Sequence, residues 1–267
     1  MEENVGLAHI SFLALDVSVR IRVLNYNIHK GRAFFSRKKT WEILKELIPL
    51  VDADIVFLQE FLREPEAETM LEMIADKLWP HHSFGQNATA GDYHYGNAIL
   101  SKFPFISTHN TNITNHYLEK RGLLYAHIQP QAHQDLHLFC THLDLREQGR
   151  RQQLEKIEKV FQSIVPQHAQ AILAGDFNDW NEKLDPHVCA RLELQEAFKT
   201  INGKLQPSSP SIFPVFSLDR IYYKNLSVKT CAALNDRSLR YGSDHLPLVV
   251  ELELLPVSPE QNLRQKN

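Results

Sequence analysis

Cysteine is scarce in this 267-residue chain: Cys140, Cys189 and Cys231 are widely spaced and odd in number. Such a set makes neither a disulfide framework nor a CxxC zinc knuckle, and it suits a reducing compartment. Glycine and proline are sparse as well, at 10 and 13 residues, which excludes collagen and low-complexity linkers. No stretch approaches the ~20 apolar residues that a membrane span needs. The run Ile10–Leu15 is short and stops at Asp16. A secretory leader opens on basic residues, whereas this chain opens Met1-Glu2-Glu3, so cytoplasmic residence is expected. Neither sign of charge dominates: 29 lysines and arginines against 32 aspartates and glutamates leave a net −3. That balance argues against coating nucleic acid by bulk charge and leaves room for a local basic rim.

What is present is a globular composition, 43% hydrophobic and 23% charged, at a length that one core can still fill. Ile21–Ile28 reads as a first strand. Trp41, Leu44, Ile48 and Val51 mark one face of a helix over Lys38–Val51. Asp54–Leu58 reads as a short buried strand. A second helix carries Ala67, Met70, Leu71, Ile74 and Leu78 and stops before Pro80. Between Ser83 and His142 short β-like runs follow one another: Asn97–Leu100, Phe105–Thr111, Leu123–Ile128 and Leu136–Thr141. The stretch containing His81, His82, Tyr93, His94 and Tyr95 is read as loop. A third helix follows Gly149, with Leu154, Ile157, Phe161 and Ile164 on one face. Ala171–Ala174, Ser217–Tyr223 and Leu246–Leu254 complete the strands. The expected organisation is an extension over 1–19, one domain over 20–255 and a polar tail over 256–267. Two strand sets with helices outside them suggest two packed sheets, and pattern alone leaves an open doubly wound sheet as the alternative.

Polar residues gather where these strands end. Asn27 closes the first run, Glu60 follows the second, and His142 follows Leu138-Phe-Cys-Thr141. Asp176 and Asn178 lie beyond Ala171–Ala174, and Asp244-His245 precedes Leu246. Singly, an aspartate after a strand is a turn former or a cap. Jointly they offer the chemistry of a hard-cation phosphoester hydrolase. Glu60, Asn27 and Asp244 supply oxygen ligands, which Mg²⁺ prefers, with Mn²⁺ as the alternative ion; zinc would recruit histidines or thiolates. His142 and His245 can donate to phosphate oxygens or move protons near neutral pH. Asp176 and Asn178, two residues apart, can hold a water and a phosphate together. Arg32, Arg37, Lys38 and Lys39 after the first strand could grip an anionic backbone or headgroup.

The segments Asn25-Tyr-Asn-Ile-His-Lys-Gly31, Asp54-Ile-Val-Phe-Leu-Gln-Glu60, Gly96-Asn-Ala-Ile-Leu-Ser-Lys102, Thr141-His-Leu-Asp144, Gly175-Asp-Phe-Asn178, Leu218-Asp-Arg-Ile221 and Gly242-Ser-Asp-His245 resemble, in that order, the endonuclease/exonuclease/phosphatase, or DNase I-like, superfamily. The resemblance implies a four-layer α/β-sandwich, with two mixed sheets face to face and helices outside. It implies water attack on a phosphoester with Mg²⁺ held by Asn27 and Glu60, and Asp244 nearby. Asp176 matches the residue that orients or deprotonates the water, and Asn178 its phosphate-binding neighbour. Asp219 matches a carboxylate that pairs with His245, and His142 a second active-site histidine. Asn97 falls in a matching segment, Arg150-x-x-Gln153 also resembles the lipid-diesterase and small bacterial members, and Asn97 and Arg150 are expected to bind phosphate. Thr141-His-Leu-Asp144 stands where abasic-site endonucleases carry Tyr-x-Pro-Asn, so the resemblance is to small bacterial, DNase I, sphingomyelinase and phosphoinositide-phosphatase branches. The expectation is a monomeric phosphodiesterase acting on nucleic acid or a phospholipid headgroup, without stable membrane insertion. Phosphomonoesterase action on inositol phosphates is the alternative. A non-catalytic binding module ranks last, because none of the functional positions is lost. No aromatic wedge and no large apolar hairpin stands out in the sequence.

Overall fold

The computed structural model describes residues 19–31, 50–63, 78–116, 119–236 and 242–255. The two N-terminal helices read from the sequence fall outside these residues except at their last one or two positions. The basic stretch Arg32–Lys39, the extension apart from Val19, and the polar tail also lie outside them.

Among the described residues twelve strands form two six-stranded mixed sheets packed face to face, as the resemblance implies. The first contains β1 (Arg20–Asn27), β2 (Ile55–Arg63), β3 (His81–Ala90), β4 (Tyr93–Ser101), β11 (Leu226–Ala233) and β12 (Leu248–Leu254), in the order β11-β12-β1-β2-β4-β3. The second contains β5 (Phe105–Asn112), β6 (Gly122–Gln131), β7 (Gln134–His142), β8 (Gln170–Asp176), β9 (Gln195–Glu196) and β10 (Asp219–Lys224), in the order β5-β6-β7-β8-β10-β9. Each sheet has one parallel pair, β1–β2 and β7–β8, and both pairs end on functional residues.

Alternation along the strands decides which side chains meet. Ile21, Val23, Ile55 and Phe57 of the first sheet pack on Leu138, Cys140, Ile172 and Ala174 of the second, forming the central core. The odd-numbered face of β1 that buries Ile21 and Val23 therefore also turns Asn25 and Asn27 inward. The outer face of the second sheet is covered by α1 (Glu147–Ile164), whose Leu154, Ile157 and Phe161 meet Phe139, Leu173 and Tyr222. Two shorter helices that the sequence reading did not recognise, α2 (Asp185–Leu192) and α3 (Ala197–Asn202), follow. Among the described residues no helix is long and apolar enough to cross a membrane.

The first sheet departs from the sequence reading. The stretch read as loop around His81 and Tyr93 is the hairpin β3–β4. Its polar residues, Ser83, Gln86, Asn87 and Thr89, hid the strand period. The second strand runs past Leu58 to Arg63, so Glu60 lies inside it. There the pairing with β4 shifts register between Leu58 and Phe61, and Glu60 takes a left-handed φ of 53°. Gly175 has a φ of 157°, and a Cβ there would collide with the Thr141 backbone of β7. That close approach seats His142 directly beside Asp176.

At the opposite end of the second sheet, burial, then the charge of His127, holds the His137 imidazole down at about 4, against a smaller pull from Asp135. Its Nδ1 is 2.9 Å from the Tyr125 hydroxyl. The unfolded chain therefore takes up this proton first, and stability is complete above the ordinary imidazole value and lost as pH falls towards about 4. His137→Gln should make the pH slope of denaturant stability in that window shallower by up to about 1.4 kcal/mol per pH unit. Identical slopes for the two proteins would show that His137 is protonated in the native state.

Candidate functional site

The site lies where the ends of the two sheets meet, in an open cleft of about 650 Å³. The second sheet contributes a row across three neighbouring strands. Register places His142 of β7 opposite Asp176 of β8, and Asp176 opposite Asp219 of β10. The first sheet contributes Asn27 at the end of β1, Glu60 on the β2 bulge and Asn97 on β4. By simple alternation Glu60 would face away from Gln59, which points inward to Asn25 and Cys140. The left-handed bulge re-aims its carboxylate, which lines the cleft.

Hydrogen bonds fix this arrangement across the sheets. Asn27 Nδ2 donates to Asp176 Oδ2 at 2.9 Å and lies 3.5 Å from Glu60 Oε1. Asn25 Nδ2 donates to the Gly175 carbonyl at 3.4 Å. Asp176 Oδ1 accepts the Asn178 amide at 2.9 Å. Asn178 Nδ2 reaches His142 Nε2 at 3.0 Å and the Leu143 carbonyl at 2.9 Å. An amide nitrogen can only donate, so His142 Nε2 is the acceptor and its proton sits on Nδ1. The 3.5 Å approach of His142 Nε2 to Asp176 Oδ2 is therefore proximity and not a hydrogen bond.

His245, just before β12, sets Nδ1 2.6 Å from Asp219 Oδ2 and Nε2 3.8 Å from Asp176 Oδ2. The same Asp219 oxygen accepts the Ser208 hydroxyl at 2.6 Å. Ser243 donates from Oγ to the Asn27 carbonyl at 2.7 Å and is 3.3 Å from Asp244 Oδ1. Asp244 Oδ1 in turn lies 3.7 Å from His29 Nδ1. Ser208 and Ser243 are completely buried, and sequence reasoning missed both. Ser243 is adjacent to Asp244 in a motif already singled out, whereas nothing in the chain marks Ser208 as the partner of Asp219.

Electrostatics separate the two histidines. Burial holds His142 well below the ordinary imidazole range, and the cations Arg121, His245 and Lys30 add to that effect. Burial also opposes a charge on His245, but Asp219 and Asp176 outweigh it and push this imidazole up to about 10. Burial pushes the Asp176 carboxyl up to about 6; the His245 charge opposes this and the Asp219 charge adds to it. One imidazole is thus neutral, the other is a cation, and the carboxylate between them exchanges protons near neutrality.

Eight of the ten site residues expected from the sequence contact or line this cleft directly: Asn27, Glu60, Asn97, His142, Asp176, Asn178, Asp244 and His245. Asp219 stands behind His245. Arg150, expected to bind phosphate, does not reach the cleft. It is buried at the start of α1, donating to the carbonyls of Leu145 at 2.6 Å and Asp144 at 3.3 Å, with Asp179 at 3.9 Å. A helix periodicity cannot show that the first turn of α1 is roofed by its own preceding loop. Asn97 lines the cleft, but its Nδ2 ties β4 to the Gly122 and Cys140 carbonyls, at 3.1 and 3.3 Å. The histidine pair His81-His82 lies away from the cleft, whereas Tyr95 lines it beneath Lys30, whose Nζ is 5.8 Å from the ring centre.

Residues 24–245 match the model of the Endonuclease/Exonuclease/phosphatase family. The Escherichia coli K12 protein YbhP is 36% identical over 244 residues, covering 87% of this chain and 96% of YbhP. A structure of an endonuclease/exonuclease/phosphatase from Beutenbergia cavernae superposes with a TM-score of 0.72 at 20% identity, over 88% of this chain and 72% of that one. The human Nocturnin catalytic domain, solved with a bound sulfate anion, superposes with a TM-score of 0.70 at 21% identity, over 87% and 94% of the two chains.

Asp219→Asn removes the largest charge that favours the His245 cation. The His245 imidazole should then titrate well below about 10, which an NMR pH titration of its ring protons reads directly. An unchanged His245 titration in a folded variant would mean that Asp219 does not set it.

Proposed function

The chain belongs to the endonuclease/exonuclease/phosphatase family, and from that premise we propose that it is a Mg²⁺-dependent phosphodiesterase that cleaves a nucleic-acid or phospholipid-type diester by water attack. Members of this family include phosphodiesterases and phosphatases, and they typically use a divalent metal. The observation that carries the reading is the buried pair Asp219–His245, at 2.6 Å, aimed at a third buried group, Asp176. A structural ion pair would need no second carboxylate on the far side of the imidazole.

The donor set fits a hard cation. Glu60, Asn27 and Asp244 offer oxygen, and among the described residues Glu60 holds only the long contact to Asn27, so its carboxylate is left open to the cleft. Asp176, Asp219 and His245 also lie close enough to share an ion. A proton already occupies the short Asp219–His245 contact, which favours Glu60 and its neighbours as the metal side. A Mg²⁺ held there would polarise a phosphoryl oxygen and offset its charge.

The chain's own residues account for the rest. Asp176, held by Asn27 and the Asn178 amide, accepts a proton from water at its Oδ2 edge, where its raised affinity for protons suits a base working near neutrality. His245, kept cationic by Asp219, places a charged Nε2–H beside the same oxygen, where it stabilises charge developing on phosphate. Ser208 holds the Asp219 carboxylate in register for that task. Asn178, both of whose amide protons are taken, fixes neutral His142 in the tautomer that keeps Nδ1–H as a donor for a phosphate oxygen without adding charge.

Glu60→Gln keeps the size of the side chain and removes its charge. It should weaken Mg²⁺ binding by an order of magnitude or more, seen by calorimetry, and lower turnover of a nitrophenyl diester while thermal stability stays unchanged. Asp176→Asn should lower kcat far more than it raises KM, since proton transfer belongs to the transition state. Wild-type Mg²⁺ affinity in Glu60→Gln would remove Glu60 from the metal site. A screen of plasmid DNA, RNA, sphingomyelin and phosphoinositides, with and without Mg²⁺, separates the diester reading from phosphomonoesterase action. Residence in the cytoplasm as a monomer accompanies this reading and is checked by fractionation and gel filtration.

A further inference from the structure

The site built from Asn25 and Asn27 leaves one polar residue of their segment, His29, without a task. His29 opens a tight turn over His29–Gly31, directly after β1. His29 and Lys30 both take left-handed backbone, with φ of 44° and 56°. Residues with a Cβ disfavour that region, and a turn that only reversed the chain would be cheaper with glycine there. Two bonds hold the turn. The Ile28 amide donates to the Gln59 carbonyl at 3.2 Å, and the His29 amide donates to Asn27 Oδ1 at 3.0 Å. Strain kept beside a cleft points to a task for the side chain it aims.

His29, Glu60 and Asp244 line the cleft together. Asn27 beside them is buried, its oxygen already accepting the His29 amide and its nitrogen donating to Asp176. The His29 ring is partly exposed, but its Nδ1 is shut off from solvent and has no hydrogen-bond partner among the described residues. That nitrogen lies 3.7 Å from Asp244 Oδ1, too far for a hydrogen bond. A shielded nitrogen without a partner is costly unless something occupies it. The spacing suits one kind of occupant, since two ligand atoms each ~2.1 Å from a shared ion stand ~3–3.5 Å apart.

We propose that His29 Nδ1 is a nitrogen ligand of the cation held by Glu60 and Asp244, so that the site takes a first-row transition cation such as Mn²⁺ more tightly than Mg²⁺. The inference rests on the reading of Glu60 and Asp244 as the metal side and adds a donor which that reading lacks. An all-oxygen set suits Mg²⁺, whereas an imidazole in the set favours transition metals. The ring proton then sits on Nε2. A plain ion pair between His29 and Asp244 would close to hydrogen-bond distance instead. The other two histidines of the cleft are already committed: His142 Nε2 to Asn178, and His245 Nδ1 to Asp219.

The test is pulsed EPR of the full chain loaded with Mn²⁺, which reads a nitrogen bound directly to the ion as a modulation of the echo. The wild type should show that modulation. His29→Asn should lose it, because asparagine tolerates left-handed backbone and carries no imidazole. His245→Gln should keep it, because His245 faces Asp176. By calorimetry His29→Asn should bind Mn²⁺ about tenfold more weakly or worse, with a smaller loss for Mg²⁺. If His29→Asn misfolds, His29→Gln gives the same readouts. Mn²⁺ that binds without nitrogen modulation overturns the proposal; if Glu60→Gln then abolishes that binding, the metal side itself stands. Modulation that survives His29→Asn and disappears in His245→Gln also overturns it. Absence of Mn²⁺ binding to the wild type overturns both the proposal and the metal reading. Modulation that depends on His29 in a protein without diester turnover supports the ligand and overturns only the hydrolase reading.

Discussion

The hydrogen bond from Asn27 Nδ2 to Asp176 Oδ2, 2.9 Å long, joins the two sheets at the end where they meet. Oxygen donors for a cation sit on one side of it, and the residues that carry protons sit on the other. The packing of the sheets, together with the bonds from Ser211 to the Ser243 and Asp244 backbone, sets the distance between the two halves. Ile21, Val23, Ile55 and Phe57 against Leu138, Cys140, Ile172 and Ala174 hold the spacing along the strands. Asn25, Gln59 and the Gly175 carbonyl continue it with hydrogen bonds just below the cleft. A dry, close-packed interface is stiff, and stiffness is what a site divided between two sheets requires.

That placement carries an electrostatic cost. Asp176 and Asp219 face one another on adjacent strands, both buried. Two carboxylates so placed repel, and burial makes each harder to ionise. His245 relieves this by standing as a cation between them, and Ser208 and Asn27 add hydrogen bonds to the two acids. The residual strain settles on Asp176, whose proton affinity rises towards neutrality. On the other face of the same sheet, Arg220 is completely buried. It donates to Asp179 Oδ2 at 3.0 Å, and Asp179 Oδ2 also accepts the Leu184 amide at 2.7 Å. This second ion pair braces the loop that leaves Asn178 and carries Trp180. Its charges are consumed locally, so it supports the site without joining it.

Legibility in the sequence follows the same physics. Asn27, His142 and Asp176 were readable because each ends an apolar run, and strands that end together bring their last residues together. Glu60 was readable as a residue but not as a geometry, since a single left-handed bulge reverses the direction that strand period assigns to it. The Asp219–His245 contact spans 26 positions and came from resemblance, for no local pattern encodes pairing between separate strands. Arg150 was misplaced because a cation beside a motif reads the same whether it faces phosphate or a carbonyl. The strand β3 went unseen because six of its ten residues are polar, with His82, Gln86 and Thr89 exposed. The helices α2 and α3 went unseen because they are short.

The segment 208–218, which folds back at a bridge between Ser209 and Phe216, shows how the two ends of one segment can serve opposite demands. Its base, Ser208 to Ser211, is buried and polar, and it holds Asp219 and the Asp244 backbone. Its tip is apolar and exposed. A segment that only supported Asp219 would need the base alone and would be cheaper with a polar tip. A segment that only bound a surface would not need to be bonded to the catalytic strands. Joining the two in one charge-free stretch means that Phe213 is held at a fixed distance from Asp219 and His245. The rigid base thus fixes the position of the apolar tip relative to the Asp219–His245 pair.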